Sequence, residues 1–165
     1  MPNIPSVNLS DFISNDLSLK QDFVNKLGKA YEEIGFVALK GHFLKDSDIK
    51  NIYRYIKKFF DLPKNIKCKY ELKGFAGQRG YTSFGKEHAK GKKHGDLKEF
   101  WHFGQYLDES EYSKFGYPKN LTVNEVPEFN KIGKKVYKSL EKTSIYVLRA
   151  ISLFLGLKED HFDKF

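Results

Sequence analysis

The stretch from Gly74 to Gly104 reads GFAGQRGYTSFGKEHAKGKKHGDLKEFWHFG and crowds glycines, aromatic residues, histidines, an arginine and paired charges together. Its two ends alternate like strands, over Gln78–Phe84 and Leu97–Phe103. Between them, Lys86–Asp96 is polar and interrupted by glycines, which predicts a long loop. We therefore expect a short pair of strands that presents polar groups to a small molecule.

The residues on either side of this stretch have mostly helical periodicity. Apolar residues at helical spacing predict three helices, which run from Leu19 to Ile34, from Asp46 or Ser47 up to Pro63, and from Pro127 to Gly156. Ser18 and Gln21 stand at the spacing of a capping box before the first helix. The predicted buried face of the long helix comprises Phe129, Ile132, Val136, Leu140, Val147, Ile151 and Phe154.

Strand signals are few, and they come early in the chain. Ile4–Leu9 alternates and predicts an edge strand, and the apolar run Phe36–Leu39 predicts a buried strand. Gln105–Glu125 has no clear period and predicts a loop. A long helix needs a large partner to pack on, so the pattern indicates part of a larger domain.

Composition excludes several classes of protein. With 40% hydrophobic residues among 165, the chain can form a packed core, and its one cysteine, Cys68, permits no internal disulfide. The N-terminus lacks the pattern of a signal peptide, and no apolar run approaches the length of a membrane span. We therefore expect a cytoplasmic protein without a membrane partner.

The net charge of +8 raises nucleic acid as a partner. Only Arg54, Arg79 and Arg149 are arginines, however, and the lysines are spread through every predicted helix. Bidentate contacts to phosphate and guanine are mostly made by arginine, so we expect no nucleic-acid partner. A stand-alone basic module that binds acidic ligands or RNA remains an alternative.

Several motifs occur in an order that resembles a known family. They are Gly35-Phe36-Val37, Phe59-Phe60-Asp61-Leu62-Pro63, Gly80–Glu87 followed by Asp96–Trp101, and Val126-Pro127-Glu128-Phe129. In this order and spacing they resemble the N-terminal region of the isopenicillin N synthase-like family of iron(II)/2-oxoglutarate-dependent dioxygenases. The resemblance covers essentially the whole chain.

The resemblance implies an α+β fold in which helices pack on a few short strands. Residues 1–165 would form the N-terminal domain of a double-stranded β-helix (jelly-roll) oxygenase, with most of the jelly-roll core absent and expected after Phe165. In the complete enzyme, iron(II) would be held by His-x-Asp and a distant His, together with 2-oxoglutarate, and a small molecule would be oxidised. This chain alone would hold neither cofactor and would be inactive. A non-catalytic remnant that pairs with another subunit is the remaining alternative.

The resemblance also suggests residues that bind the substrate. Related enzymes place an arginine and a tyrosine near the Gly-Tyr motif to bind a substrate carboxylate, which points to Arg79 and Tyr81. Arg79 directly precedes Gly80, and a shift of one residue along a strand reverses the side chain, so Gln78 is the alternative. Arg79 could instead form an ion pair with Glu87 or Glu99.

Two His-x-Asp triplets occur in the chain, at His94-Gly95-Asp96 and His161-Phe162-Asp163. Neither lies on a predicted strand that could hold a metal ligand rigidly, so we expect both to be coincidental and expect no metal ligands here. His102, on the second predicted strand, is expected to be a structural, hydrogen-bonded histidine.

Overall fold

A computed structural model describes residues 3–88, 91 and 95–164. The chain divides into two compact units, one formed by Met1–Lys45 and Lys138–Phe165 and the other by Asp46–Tyr137. The long helix α6 (Pro127–Phe154) belongs to the second unit up to Tyr137 and to the first unit from Lys138 onward.

The first unit packs helices on two short parallel strands. Strand β1 (Ser6–Asn8) pairs with β2 (Ala38–Lys40), and helices α1 (Leu9–Ile13) and α2 (Leu17–Glu33) lie between them in sequence. Apolar residues at helical spacing predicted α2, and of these Phe23, Leu27 and Ala30 are buried, while Ile34 at its end is half-buried. The core of this unit comprises Val7, Leu9, Phe12, Phe23, Val24, Leu27 and Ala150.

The second unit contains an antiparallel strand pair and a core of aromatic residues. Its elements are α3 (Asp46–Phe60), α4 (Lys64–Lys67), a 3₁₀ turn (Cys68–Tyr70), β3 (Gly80–Thr82), β4 (Phe100–His102) and α5 (Glu109–Phe115). Strand β3 pairs with β4, with Tyr81 opposite Trp101, so the predicted strand pair is confirmed with shorter bounds. The loop predicted for Lys86–Asp96 lies partly outside the described residues.

Phe59, at the end of α3, is the centre of this aromatic core. Its ring stacks on Phe129 at 5.2 Å between centroids and meets the edge of Trp101 at 4.8 Å. Tyr81 packs against the same ring at 5.9 Å. This packing fixes β3, β4 and the start of α6 around one buried residue.

Several predicted bounds are wrong for identifiable reasons. Helix α2 begins at Leu17 rather than Leu19, because the carboxylate of Asp16 accepts hydrogen bonds from the backbone of Ser18 at 2.8 Å and Leu19 at 3.1 Å. Ser18 is therefore inside the helix and is not its cap. Helix α1 was not predicted; it begins after Asn8, whose side chain accepts from the Ser10 N–H at 3.1 Å.

The strand predicted for Phe36–Leu39 is shifted and is not buried. Strand β2 covers Ala38–Lys40, and Phe36 is 68% exposed. An apolar run marks a segment that avoids water, but it cannot show which neighbours are available to cover it. Leu140 was predicted on the buried face of α6 and is 49% exposed.

The loop predicted for Gln105–Glu125 contains helix α5. The Glu111 carboxylate accepts a hydrogen bond from the Asp108 backbone N–H at 3.0 Å, at the start of this helix. The Asp-x-x-Glu spacing was therefore a readable helix signal. It was missed because seven residues are too few to show a period.

Candidate functional site

A cavity of about 420 Å³ lies beside the β3–β4 pair, within the second unit. It is large enough for a small organic molecule. Its lining mixes aromatic, hydroxyl and charged side chains and includes Glu71, Lys73, Tyr81, Thr82, Lys86 and Phe100. This lining can present both signs of charge next to an apolar surface.

Tyr81 is among the residues that line the cavity, while its ring packs against Phe59 in the core and its hydroxyl group is hydrogen-bonded within the protein. The Tyr81 hydroxyl donates to the Glu99 carboxylate. Lys67 donates to both oxygens of the same carboxylate, at 3.0 and 2.9 Å, and to the Phe60 carbonyl at 3.0 Å. Tyr81 is only 2% exposed, so it is a rigid part of the wall.

The charge states of this cluster follow from burial and hydrogen bonding. Burial opposes ionisation of Glu99, but the bonds from Lys67 and Tyr81 outweigh it and lower the pKa of Glu99 below its ordinary value. Burial, and then the bond to the Glu99 carboxylate, raise the pKa of Tyr81. Tyr81 is therefore a neutral hydrogen-bond donor at physiological pH.

Glu71 sets the charge on another side of the cavity. Its carboxylate accepts from the Ser83 backbone N–H at 3.2 Å and forms an ion pair with Lys86. Burial again opposes the charge, while the bonds from Lys86 and Ser83 lower the pKa of Glu71. Sequence reasoning missed Glu71, because its partners lie 12 and 15 positions away and form no local pattern.

Arg79 does not line this cavity. Its Nη1 donates to the Gln78 carbonyl at 2.7 Å, and its Nε is buried without a hydrogen-bond partner in the described part of the chain. The predicted ion pair with Glu87 or Glu99 is wrong, because Glu87 pairs with Lys98 at 2.5 Å and Glu99 pairs with Lys67.

The guanidinium of Arg79 lies against the backbone of Gly104. A Cβ atom at Gly104 would stand 1.7 Å from the Arg79 Cζ, so any other residue there would displace the guanidinium. Gln78 is exposed. Of the three predicted substrate-binding residues, Tyr81 lines the cavity and Gln78 and Arg79 do not, and binding of substrate by any of them remains a prediction.

Phe100 and Trp101 of strand β4 lie on opposite sides of the strand, one at the cavity and one in the core. Phe100 lines the cavity, whereas Trp101 packs against Phe59 and Phe129. Phe100 is therefore the candidate for an apolar wall of the cavity. The Nδ1 atom of His102 lies 2.6 Å from the Gly77 carbonyl, which confirms a hydrogen-bonded histidine.

Among residues 3–88, 91 and 95–164, no group of three His, Cys, Asp or Glu side chains could hold a metal ion. His94 lies outside the described residues, and the His161 ring packs against Phe162 with 5.0 Å between centroids. We therefore assign no step of an iron-dependent reaction to these side chains.

Within the same described residues, no helix combines the length and hydropathy needed to cross a bilayer.

Curated proteins similar to this chain include an oxidase and a hydroxylase. A 1-aminocyclopropane-1-carboxylate oxidase from Dictyostelium mucoroides is 29% identical over 98% of this chain and 45% of its own length. The homoarginine-6-hydroxylase 2-ODD-233 of Oryza sativa subsp. japonica is 29% identical over 97% of this chain and 51% of its own length. The chain thus spans about half the length of the curated relatives it matches.

A solved structure agrees in fold. A 2OG-Fe(II) oxygenase family protein from Caulobacter crescentus is 35% identical and superimposes with a TM-score of 0.82, over 99% of this chain and 52% of the other. The predicted fold class, the N-terminal part of a jelly-roll oxygenase, is thereby confirmed.

A sequence model of a protein family also matches the chain. Residues 4–128 match the model described as "non-haem dioxygenase in morphine synthesis N-terminal". The chain therefore belongs to the non-haem dioxygenase N-terminal family, as its sequence motifs predicted.

Proposed function

We propose that this chain is the N-terminal part of an iron(II)/2-oxoglutarate-dependent oxygenase that oxidises a small molecule. The observation that carries the proposal is that oxygenases about twice as long match 97–98% of this chain. In the proposal, the metal ligands lie in the part of the enzyme that this chain does not span, and iron and 2-oxoglutarate bound there supply the oxidising chemistry. The residues described above have two other tasks, to line the substrate pocket and to support the jelly roll.

The first task belongs to the cavity beside β3 and β4. Phe100 provides an apolar surface, and Thr82 provides a hydroxyl group. Because Tyr81 is fixed by Glu99, this part of the cavity wall is ordered before a substrate binds. Lys73 and Glu71 on the same lining carry opposite charges. This combination favours a small polar substrate, in line with the amino acids in the names of the two curated relatives.

The second task belongs to the exposed apolar side of α6. Leu140, Ile145 and Leu148 are exposed by 49%, 41% and 41%, although all three lie in the interior of the helix. Leu140 and Leu148 are eight positions apart and so share one side. A helix side of this kind is normally covered by another element. We assign that role to the jelly roll.

The experiment compares the 165-residue chain with the product of the same gene read beyond codon 165. Both are incubated with iron(II) and 2-oxoglutarate, and succinate is measured. We expect turnover from the longer product, which should encode His-x-Asp and a distant histidine, and none from the shorter chain. Iron-dependent turnover by the 165-residue chain would contradict the assignment of the metal site. A longer product that neither encodes these ligands nor consumes 2-oxoglutarate would contradict the proposed enzyme.

A further inference from the structure

A second cavity, of about 370 Å³, lies in the same unit, and none of the described residues that line it also lines the first. It is formed by the segment around Tyr106–Thr122 and by the first turns of α6. The described residues that line it include three lysines, Lys119, Lys131 and Lys134, and no aspartate or glutamate. Its charge therefore differs from that of the first cavity, where acidic and basic groups are mixed.

The walls of this second cavity are held rigidly by two asparagines. The Asn120 side chain accepts from the Gly104 N–H at 2.8 Å and donates to the Gly104 and Gln105 carbonyls at 2.9 and 3.1 Å. The Asn130 side chain accepts from the Val123 N–H at 2.7 Å and donates to the Leu121 carbonyl at 2.6 Å. The loop wall is thus fixed before any ligand arrives, which lowers the entropic cost of binding.

The positive charges of the cavity are only partly neutralised. Lys119 pairs with Glu109 at 2.5 Å, and both of these side chains are largely exposed. In the described part of the chain, neither Lys131 nor Lys134 forms an ion pair with a carboxylate, and the Lys134 ammonium lies 5.3 Å from the centre of the Tyr106 ring. Like charges that line one concave surface repel each other and attract an anion.

Tyr106 adds a hydroxyl group for which the described part of the chain supplies no hydrogen-bond partner. Its oxygen is buried and makes no hydrogen bond within the described residues, while its ring packs against Tyr137 at 5.7 Å. Burial, with the neighbouring Tyr112 and Tyr137, raises the pKa of Tyr106 to about 12, so the hydroxyl keeps its proton at neutral pH. A buried hydroxyl without a partner is costly, by about 1–3 kcal/mol. An acceptor atom on a ligand that reached this hydroxyl would remove that cost.

We infer that this cavity binds a small organic anion, a phosphate or carboxylate group joined to a flat apolar body. The anionic group would lie near Lys131 and Lys134, and the apolar body would lie against Tyr106, Tyr112 and Leu121. This site does not depend on the oxygenase reaction and is separate from the proposed substrate pocket. It can therefore be tested by binding alone.

The probe is 1-naphthyl phosphate, titrated into the protein by calorimetry at low ionic strength. Inorganic phosphate and 1-naphthol serve as its two halves, and 1-naphthoate tests a carboxylate against a phosphate. We expect whichever naphthyl anion is preferred to bind at least about tenfold more tightly than either half, because each half uses only part of the cavity. If neither 1-naphthyl phosphate nor 1-naphthoate binds more tightly than inorganic phosphate and 1-naphthol, the inference is wrong.

Variants then locate the site. Lys131→Gln and Lys134→Gln should each weaken binding of the naphthyl anion by about tenfold, as expected for loss of a charge-assisted hydrogen bond. Lys138→Gln removes the same charge from the same helix outside the cavity, and should leave binding unchanged. Equal losses in all three variants would show diffuse attraction to a basic surface and would overturn the site.

Tyr106→Phe separates a binding role from a structural one. Since the hydroxyl has no partner in the described structure, the variant should be as stable as the parent protein or more stable, yet bind the naphthyl anion several-fold more weakly. Loss of stability with unchanged affinity would show that the hydroxyl is structural and would count against the proposal.

Discussion

At the scale of single residues, the cluster of Lys67, Glu99 and Tyr81 explains how the wall of the first cavity is built. The side chains of Lys67 and Glu99 are only 10% and 17% exposed, so each charge depends on the other for compensation. Tyr81 connects this pair to β3. A buried pair of this kind adds little net stability relative to apolar residues, but it fixes the orientation of the groups it joins.

Replacing one partner of this pair should be much more damaging than replacing an exposed acid. Glu99→Gln leaves the Lys67 ammonium without a compensating charge, and we expect a loss of about 3 kcal/mol in the free energy of unfolding. Urea unfolding followed by Trp101 fluorescence measures it, because Trp101 is the only tryptophan. The matched control is Glu141→Gln, whose partner Lys138 is 48% exposed, and which should change stability by less than about 0.5 kcal/mol. Equal effects would show that the Lys67–Glu99 pair is not buried in solution.

The same carboxylate should contribute to acid sensitivity. The pKa of Glu99 is lower in the folded protein than its ordinary value of 4.5, so its contribution is complete above that value. The contribution is lost as the pH falls through the folded pKa. We therefore expect the stability difference between the parent protein and Glu99→Gln to be largest near neutral pH and to shrink below about pH 4.5. Unfolding curves at a series of pH values measure the difference, and a gap that widens on acidification would contradict the assignment.

At the scale of elements, one glycine determines how closely β3 approaches its neighbours. Gly80 has a φ of +73°, and a Cβ there would stand 2.4 Å from the Tyr70 carbonyl oxygen and 2.7 Å from the Leu121 Cδ1. Gly85 has a φ of +75°, and no atom of the described residues lies within 4 Å of the same position. Comparing substitutions at these two positions therefore distinguishes the cost of a left-handed backbone from the cost of steric crowding.

Alanine at these two positions should have unequal effects. Gly85→Ala carries only the cost of a left-handed conformation, about 1–2 kcal/mol. Gly80→Ala adds the clash with Tyr70 and Leu121, and should cost about 1–3 kcal/mol more. Thermal and urea unfolding of both variants provide the measurement. If Gly80→Ala is no less stable than Gly85→Ala, the close approach of β3 does not exist in solution.

The elements also show what the sequence could and could not predict. The helices with long apolar stripes and the strand pair around Tyr81 were predictable, since each has a repeating local pattern. Glu71 and the orientation of Arg79 were not, because both depend on partners that are distant in sequence, Ser83 and Gly104. Helix α5 carried a local signal in Asp108 and Glu111, but its shortness hid the period.

At the scale of the whole molecule, helix α6 has a packed side and an exposed apolar side. Val147 and Ala150 of α6 contribute to the packed side in the first unit, while Leu140 and Leu148 on another side are exposed. Because the chain spans about half of its curated relatives, an exposed leucine here has two possible roles. It is either an ordinary surface residue or part of an interface with the remaining half of the enzyme.

Leu148→Lys distinguishes these two roles. In the 165-residue chain the substitution should change stability by less than about 0.5 kcal/mol, because the side chain is 41% exposed. In a protein extended to the length of the relatives, the same change would place an ammonium group in an apolar interface and should cost about 2 kcal/mol or more. Leu17→Lys, at a leucine that is 82% exposed at the start of α2, should be neutral in both proteins. Urea unfolding of the four variants measures the contrast, and a neutral Leu148→Lys in the longer protein would mean that this side of α6 does not support the jelly roll.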